Sequence, residues 1–260
     1  MTRLDVWLAE AGLSESREKA QALVMAGRVK LDGQRATKPG TRVKQGVRVE
    51  VEPGPLLVGR GALKLLGALE AFGADPSGCV AIDVGASTGG FTETLLERGA
   101  RRVYAIDVGR GQLHERLRQD PRVVVLDRTN ARSLSPELVP EPCGLAVMDV
   151  SFISVSKILE PLRSVLAPGA TALVLVKPQF EVGRAQVGRG GIVRDPELHL
   201  QSLRDVAACA ERAGYAVRGA CASPVTGATG NREFFLHLVS GGETLPPDTL
   251  LPLLRKAVSA

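Results

Sequence analysis

A regular alternation of short apolar runs and longer amphipathic segments after residue 60 most constrains the fold of this chain. The apolar runs cover residues 80–84, 103–107, 123–126, 145–150 and 172–176, with two more near 217–223 and 233–239. The amphipathic segments cover residues 61–72, 91–98, 112–119, 155–166 and 199–213. Strands that alternate with helices build a parallel sheet with helices on both faces, so the pattern predicts an α/β, doubly wound domain. In such a domain the ligand lies outside the carboxyl ends of the strands.

The first fifty residues differ from the rest in charge and in pattern. They hold ten lysines and arginines against six acids, a net charge of +4 out of +5 for the whole chain. Apolar residues at helical spacing predict a helix over residues 4–13 and a second one that begins after Ser14 and ends at Gly27. Asp32-Gly33 predicts the turn of a hairpin between short strands.

The prolines at positions 53 and 55, with Gly54 between them, mark a linker. We therefore expect a small α+β domain at residues 1–52, a linker at 53–58, a larger domain at 59–242 and a C-terminal extension at 243–260. A small basic domain beside a nearly neutral one indicates a docking module for a polyanion. Charge alone leaves open the alternative of an ordinary solvated surface.

Composition excludes several classes of protein. The chain is 44% hydrophobic and 23% charged, which is typical of a globular protein and excludes overall disorder. No stretch approaches the ~20 apolar residues of a membrane-spanning helix, and the N-terminus lacks the apolar core of a signal peptide. We therefore expect a cytoplasmic protein with no membrane contact. The four cysteines lack C-x-x-C spacing, which disfavours a disulfide framework or a cysteine-based zinc site.

The turn after the first strand of the large domain is rich in glycine, which lets a ligand approach the backbone. The segment 83–91 reads Asp-Val-Gly-Ala-Ser-Thr-Gly-Gly-Phe, and Asp107 follows Asp83 by 24 positions. That is near the ~20-residue offset at which an acid binds a ribose hydroxyl in nucleotide-binding folds. Ser87 replaces the glycine that would meet a pyrophosphate. The sequence therefore favours a nucleoside without phosphates, and S-adenosylmethionine fits, with its amino acid part on the turn and its ribose near Asp107.

The same turn also spells Gly-x-Ser-x-Gly at residues 85–89, the pattern of a hydrolase nucleophile elbow. A hydrolase needs a histidine near Ser87, and the chain contains only His114, His199 and His237. A hydrolase therefore remains a minor alternative interpretation of this turn.

Charged residues stand at the ends of several predicted strands. Asp149 and Lys177 each stand at the end of an apolar run, and Glu233 opens the last strand. Lys64 lies on the helix that enters the domain. We expect Asp149 and Lys177 to meet at the ligand cleft, because the ends of parallel strands share one edge of the sheet.

These features together resemble a known family. Residues 1–52 resemble the S4-type RNA-binding module, also called the alpha-L motif, and residues 58–240 resemble an FtsJ-type 2′-O-ribose methyltransferase. The combination is similar to the TlyA family, long labelled hemolysins, whose members methylate ribosomal RNA. The segments that carry the resemblance are 14–29, 60–65, 83–91, 148–154, 176–181, 190–196 and 231–235.

The resemblance implies a Rossmann-like domain that uses S-adenosyl-L-methionine, and a substrate of ribosomal RNA or ribosomal subunits. The family's catalytic tetrad falls on Lys64, Asp149, Lys177 and Glu233. The expected cofactor-binding residues are Asp83, Gly85, Ser87, Gly89, Gly90, Phe91, Asp107, Asp127, Asn130 and Asp149. The expected RNA-binding residues are Arg3, Arg17, Lys19, Arg28 and Lys30. Two positions depart from the family pattern: Gly59 replaces a usual serine and Asp127 a common glutamate.

The expected chemistry is in-line methyl transfer to a ribose 2′-oxygen. A sulfonium is already a good leaving group, so we expect no metal. Lys177 is the candidate proton acceptor, Lys64 stands beside it, and Asp149 and Glu233 orient the two lysines. A non-catalytic RNA-binding or ribosome-associated protein remains an alternative, as does a pore-forming hemolysin, which would need an exposed apolar segment that the sequence lacks. A pseudouridine synthase would leave the glycine turn unexplained.

Overall fold

Two folded units follow one another along the chain, as the sequence predicts. The structure is a computed structural model, and it describes residues 2–14, 16–25, 28–36, 38–44, 46–51 and 61–260. Three predicted features lie outside these ranges: the linker at 53–58, the helix end at Gly27 and the family departure at Gly59.

The N-terminal unit combines helices with short strands. Its described elements are β1 (Thr2–Arg3), α1 (Leu4–Glu10), α2 (Arg17–Met25), β2 (Val29–Leu31), β3 (Gln34–Arg35), β4 (Arg42–Val43) and β5 (Val49–Val51). β2 lies between β3 and β5, and β1 pairs with β4. Asp32 and Gly33 have φ of 49° and 81°, the left-handed pair that a tight hairpin turn needs, so the predicted hairpin is confirmed. The first helix is shorter than predicted, and Leu13 beyond it is exposed.

The larger unit contains the predicted alternation of strands and helices. Its elements are α3 (Gly61–Phe72), β6 (Val80–Val84), α4 (Gly90–Glu97), β7 (Arg102–Ile106), α5 (Glu115–Arg118), β8 (Val123–Leu126), β9 (Cys143–Met148), α6 (Leu159–Arg163), β10 (Leu166–Val176), α7 (Pro178–Glu181), α8 (Pro196–Arg212), β11 (Tyr215–Ala222), β12 (Phe234–Ser240) and α9 (Pro247–Ser259). None of the helices in the described residues is long and apolar enough to cross a membrane.

The strands form one seven-stranded sheet in the order β11-β12-β10-β9-β6-β7-β8. The five strands from β6 to β10 run parallel, whereas β12 is antiparallel to both of its neighbours. Alternation of strands and helices did not reveal this reversal. It arises because β11 and β12 are joined by a loop without a helix, and a parallel pair requires a crossover connection.

Two apolar cores cover the two faces of this sheet, which confirms the doubly wound arrangement. Successive residues of a strand point to opposite faces. Ile82 of β6 accordingly packs in the core that contains Leu203 of α8. Its neighbour Ala81 packs in the other core, with Leu95 of α4.

The catalytic candidates stand just outside the strands rather than within them. β7 ends at Ile106 and β9 at Met148, so Asp107 and Asp149 begin the loops that follow. Their amides still bond to the neighbouring strand, from Asp107 to the Leu126 carbonyl and from Asp149 to the Val84 carbonyl. Because β12 is antiparallel and begins at Phe234, Glu233 precedes it at that same edge of the sheet.

Two predicted helices are shorter in the structure. The helix predicted at 112–119 is reduced to α5, because the preceding loop forms turns in which the amides of Gly109 and Gly111 donate to Asp107 and Asp127. The helix predicted at 155–166 splits into a 3₁₀ turn and α6. β10 then starts six residues earlier than predicted, through an irregularity between Leu166 and Thr171 that contains a left-handed glycine.

The C-terminal residues belong to the packed unit. α9 contributes Leu254, Ala257 and Val258 to the core that also contains α8. Its end is held where the Arg232 guanidinium donates to the Val258 carbonyl at 2.7 Å. The large unit therefore continues beyond residue 242, where the sequence placed its end.

We predict that α9 stabilises the larger domain. Leu254 is 2% exposed, so Leu254→Ala should leave a cavity and lower the free energy of unfolding by about 2–4 kcal/mol. Urea denaturation measures this change. Lys256→Ala, at an exposed position of the same helix, should change it by less than about 0.5 kcal/mol. Equal stabilities for the two variants would mean that the helix packs loosely.

Candidate active site

Four charged side chains from four separate parts of the chain meet at the carboxyl edge of the sheet. The Lys64 ammonium lies 3.3 Å from Oδ2 of Asp149 and 2.7 Å from Oε2 of Glu233. The Lys177 ammonium lies 2.6 Å from Oδ1 of Asp149. Each oxygen of Asp149 therefore holds one lysine. The structure brings together all four residues predicted as the tetrad.

Burial explains why these charges must be paired. Lys64, Lys177 and Glu233 are each less than one-tenth exposed, and the Asp149 side chain is 18% exposed. An isolated charge at such a site is very costly, whereas two ammonium groups against two carboxylates are compensated. The tetrad therefore presents two fixed cationic nitrogens in a largely dry site.

Two adjoining cavities open at this cluster. The larger has a volume of about 470 Å³ and extends from Asp149 to Asp107 and Asn130. The smaller has a volume of about 240 Å³ and is lined by both lysines. Gly85, Ser87, Asp149 and Ser151 line both cavities. A group transferred between ligands in the two cavities would pass beside the tetrad.

Asp107 organises the wall of the larger cavity. Its Oδ2 accepts from the Ser87 amide at 2.8 Å, and its Oδ1 accepts from the Gly109 amide at 2.7 Å. Ser87 has φ of 49°, a left-handed conformation that few residues with a side chain adopt. Each carboxylate oxygen can accept more than one hydrogen bond, so Asp107 can also accept from ribose hydroxyls in this cavity.

Two of the three glycines predicted to bind the cofactor, Gly85 and Gly89, are required by the packing of the protein itself. A Cβ on Gly85 would lie 2.5 Å from the Asp149 carbonyl oxygen, and a Cβ on Gly89 would lie 2.2 Å from Leu117. Both glycines have left-handed φ, of 88° and 103°. A side chain at either position would therefore disturb the protein's own packing, in addition to any hindrance to a ligand that approaches the backbone.

Asp83 lies fully buried at the end of β6, directly before the glycine turn. Its Oδ2 accepts from the Thr92 hydroxyl at 2.7 Å, and its Oδ1 has no hydrogen-bond partner among the described residues. Burial raises the pKa of Asp83 to about 7, and the nearby carboxylates of Asp149 and Asp107 add to the shift. Asp83 lines neither cavity, but an acid with an unpartnered oxygen two residues before Gly85 fits a cationic ligand group near the turn, such as the ammonium of S-adenosylmethionine.

The remaining predicted cofactor residues divide between the cavities and the core. Asn130 lines the larger cavity, and Gly90 and Phe91 line the smaller one. Phe91 is mostly core, with its ring stacked on Phe235. Asp127 lines neither cavity and accepts from the Gly111 amide and from Arg118; these hydrogen bonds hold its pKa below the ordinary value.

Ser151 and Phe152 were missed by the sequence argument. Lys177 donates to the Ser151 hydroxyl at 2.7 Å. Phe152 is 91% exposed with φ of 65°, and it lines the larger cavity beside Phe180. Their position just after Asp149 could have indicated them, because the residues that follow the end of a parallel strand line the ligand cleft.

The structure does not support the hydrolase alternative. His114 accepts from the Arg116 amide, Nε2 of His199 bonds to the Val193 carbonyl, and His237 lies against Phe72. The Ser87 hydroxyl donates to Gln112 Oε1 at 3.4 Å, and none of the hydrogen bonds among the described residues joins the imidazole of a histidine to it, as the base of a nucleophile elbow would.

A second charged cluster lies in the N-terminal unit. The buried carboxylate of Asp5 accepts two bonds from Arg3, one from Nε of Arg17 and one from Gln21, each at 2.8–3.0 Å. Burial alone would raise the pKa of Asp5, but these donors hold it well below the ordinary value. The side chains of Arg3 and Arg17 remain about half exposed.

The other three predicted RNA-binding residues are Lys19 on α2, Arg28, which precedes β2, and Lys30 on β2. All three are half-buried. The N-terminal unit also exposes Arg35, Lys38, Arg42 and Lys44, a set that the sequence argument did not single out.

Comparison with known proteins gives concordant matches for both units. Residues 57–240 match the FtsJ-like methyltransferase family, and residues 2–49 match the S4 domain. The chain is 49% identical to the 16S/23S rRNA (cytidine-2′-O)-methyltransferase TlyA of Mycobacterium tuberculosis, over 91% of this chain and 89% of that protein. It is 45% identical to the Bacillus subtilis protein named "Putative rRNA methyltransferase YqxC", over 98% and 93% of the two chains.

A solved structure is similar over nearly the whole length. The "Putative hemolysin from Streptococcus thermophilus" superposes with a TM-score of 0.75 at 40% identity, covering 99% of this chain and 94% of that one. Both units of the fold therefore recur together in a solved structure.

We predict that Asp83 makes stability depend on pH. The Asp83 carboxyl has its ordinary pKa of 3.8 in the unfolded chain and a pKa of about 7 in the folded protein. Between these two pH values the unfolded chain has already lost the proton that the folded protein keeps, so the free energy of unfolding should fall as the pH rises. Asp83→Asn cannot ionise. Its stability relative to wild type should increase from pH 4 to pH 7, by up to roughly 4 kcal/mol, and stay constant above. Urea denaturation at pH 4.5, 6 and 8 tests this, and a pH-independent difference would contradict it.

Proposed function

The chain belongs to the TlyA family of rRNA methyltransferases, which joins an S4 domain to an FtsJ-like methyltransferase domain, and from this premise we propose that it methylates a ribose 2′-oxygen of ribosomal RNA with S-adenosyl-L-methionine. The names of its relatives specify cytidines of 16S and 23S RNA, and we extend that substrate to this chain. We propose that it acts in the cytoplasm, on ribosomal RNA or on ribosomal subunits.

One observation carries the proposal: Asp149 holds Lys64 and Lys177 at the junction of two cavities. The larger cavity suits a nucleoside, with Asp107 available to ribose hydroxyls, the glycine turn at one end and the buried Asp83 beneath it. The smaller cavity, lined by the lysines, suits the nucleotide to be methylated. The two ligands would then meet beside the tetrad.

When bound, S-adenosyl-L-methionine would supply a methyl group on a sulfonium, whose sulfur would keep the electron pair of the bond that breaks as the methyl carbon joins the ribose oxygen. The protein must align that oxygen and accept its proton. Alignment of two bound groups at short range accounts for much of the acceleration in such reactions.

Lys177 is the proposed proton acceptor: its ammonium first releases one proton to solvent, and the freed nitrogen then takes the proton of the ribose hydroxyl. Its Nζ is fixed by Asp149 Oδ1 and the Ser151 hydroxyl, and it lines the smaller cavity. Lys64 is held by Asp149 and Glu233, and as a cation it stabilises negative charge that develops on the ribose oxygen. Asp149 and Glu233 orient the two lysines.

The N-terminal unit is proposed to dock the RNA. Asp5 fixes Arg3 and Arg17 while leaving their side chains half exposed, so both can meet phosphates without losing further side-chain freedom. Structured RNA is recognised largely through its shape and backbone, which suits a basic face with few aromatic residues.

We predict that Lys177→Ala abolishes methyl transfer, because it removes the proton acceptor. The affinity for S-adenosylmethionine should stay within about threefold of wild type, since Lys177 does not line the larger cavity. Transfer of a labelled methyl group to ribosomal RNA and calorimetric binding measure the two quantities. The exposed Lys157 offers a control, and Lys157→Ala should be fully active.

Wild-type turnover by Lys177→Ala would remove this lysine from the mechanism. An inactive wild type that still binds RNA would favour the non-catalytic alternative.

We predict that Arg17→Gln/Lys19→Gln weakens RNA binding while preserving cofactor binding. Glutamine is preferable to glutamate here, because an acid at position 17 would face the buried Asp5. If each side chain neutralises one phosphate, the slope of log affinity against log salt should become shallower by roughly 1.4–1.8. Filter binding across salt concentrations measures the slope. Arg255→Gln/Lys256→Gln, on the exposed face of α9, should leave it unchanged. Equal slopes for the two double variants would contradict the docking role.

A further inference from the structure

Two segments next to the tetrad, one just after Asp149 and one that begins with Lys177, are joined side by side. One follows β9 and covers residues 151–155, and the other is Lys177 with α7. Their contacts run in order along both segments: Lys177 donates to Ser151 at 2.7 Å, and the Phe152 and Phe180 rings lie 5.2 Å apart. At the far end, Glu181 bonds to Ser154 and Val155.

The Glu181 carboxylate makes the far contact with both of its oxygens. Oε2 accepts from the Ser154 hydroxyl at 2.6 Å, and Oε1 accepts from the Val155 amide at 3.0 Å. The Ser154 oxygen itself accepts from the Ser156 amide at 3.2 Å, so its single hydrogen is directed at Glu181. The carboxylate is held by a defined pair of donors on the neighbouring segment.

α7 connects Glu181 rigidly to Lys177. It is a single turn that begins directly after Lys177, and the Phe180 amide donates to the Lys177 carbonyl at 2.9 Å. The backbone of Lys177 is therefore fixed relative to Glu181. On the other segment, only two residues separate Ser151, which lines both cavities, from Ser154.

Phe152 gives independent evidence that the 151–155 segment is held in place. It is a residue with a side chain in the left-handed region, with φ of 65°, and its ring is 91% exposed. Such a conformation persists only where the surrounding structure over-determines it. Contacts on either side of Phe152, at Ser151 and at Ser154, supply that constraint.

We propose that Glu181 is a positioning residue for methyl transfer. By holding Ser154 and Val155 it fixes the 151–155 segment, so that Ser151 keeps the Lys177 ammonium in place at the junction of the cavities. This inference rests on the proposed function of the tetrad. It adds a residue that touches neither cavity and acts only through Ser151.

The first test compares Glu181→Ala with Glu181→Gln. Glu181→Ala should lower the single-turnover rate, at saturating RNA and S-adenosylmethionine, by at least about tenfold, while both affinities stay within about threefold. Glu181→Gln should stay within about threefold of wild type, because its oxygen accepts from Val155 and its amide nitrogen donates to Ser154. Glu160→Ala, at an exposed acid on α6, is the control and should be unaffected.

A double-mutant cycle separates positioning from general stabilisation. If Glu181 acts through Ser151, adding Glu181→Ala to Ser151→Ala should lower the rate by less than about twofold, since coupled residues are not additive. If Glu181 only stabilised the fold, the rate losses caused by Glu181→Ala and by Ser151→Ala would multiply in the double variant. If Glu181→Ala fails to fold, Ser154→Ala replaces it in the same cycle.

The outcomes distinguish the two proposals. An unaltered rate for Glu181→Ala, or losses that multiply in the cycle, would overturn the role of Glu181 while the wild type still methylates RNA. Absence of transfer by the wild type would overturn the proposed function and this inference with it. A tenfold loss that Glu181→Gln recovers, together with a non-additive cycle, would establish the positioning role.

Discussion

The catalytic arrangement depends on one carboxylate, that of Asp149. Lys64 comes from a position 85 residues earlier in the chain, and each oxygen of Asp149 binds one of the two lysines. Both ammonium groups are less than one-tenth exposed, so without this anion they would repel each other in a site that water hardly reaches. The pairing with Asp149 brings Lys64 and Lys177, which are far apart in the chain, to the same point, and Glu233 completes the charge compensation through Lys64.

The direction of the strands explains why the fourth residue can join. β9 and β10 run parallel and end at the same edge, which places Asp149 near Lys177. A further parallel strand would have begun at the opposite edge. Because β12 is antiparallel, with Phe234 opposite Val176, its first residues lie where β10 ends. Glu233 thus reaches Lys64 through a reversal in the sheet, and the loop between β11 and β12 lies beside the same cleft.

The sequence predicted the parts of the fold that depend on local periodicity, and missed those that depend on tertiary contacts. The strand–helix order, the hairpin at Asp32-Gly33 and the meeting of Asp149 with Lys177 follow from patterns within a few residues. The direction of β12 and the packing of α9 depend on distant partners, and neither could be seen in an isolated segment. Ser151 was missed for a related reason, since a serine after a strand acquires its meaning only from the lysine that reaches it. The role of Asp127 stays a prediction: it lines neither cavity, and Oδ2 of its carboxylate accepts from Arg118 and the Gly111 amide.

The two candidate functional sites, around Asp5 and around Asp149, share one arrangement but contain different cations. Asp5 holds Arg3 and Arg17 as Asp149 holds Lys64 and Lys177, in each case with a carboxylate that binds two side chains. The choice of cation suits the role that we propose for each site. An arginine stays charged in a protein and offers several donors, so at the half-exposed Asp5 cluster it can bind the carboxylate with one edge and a phosphate with another. A lysine is able to exchange its proton, which methyl transfer requires of the acceptor and phosphate binding does not. In the proposed mechanism, arginines at Asp149 would keep the cleft cationic but leave the ribose proton without an acceptor.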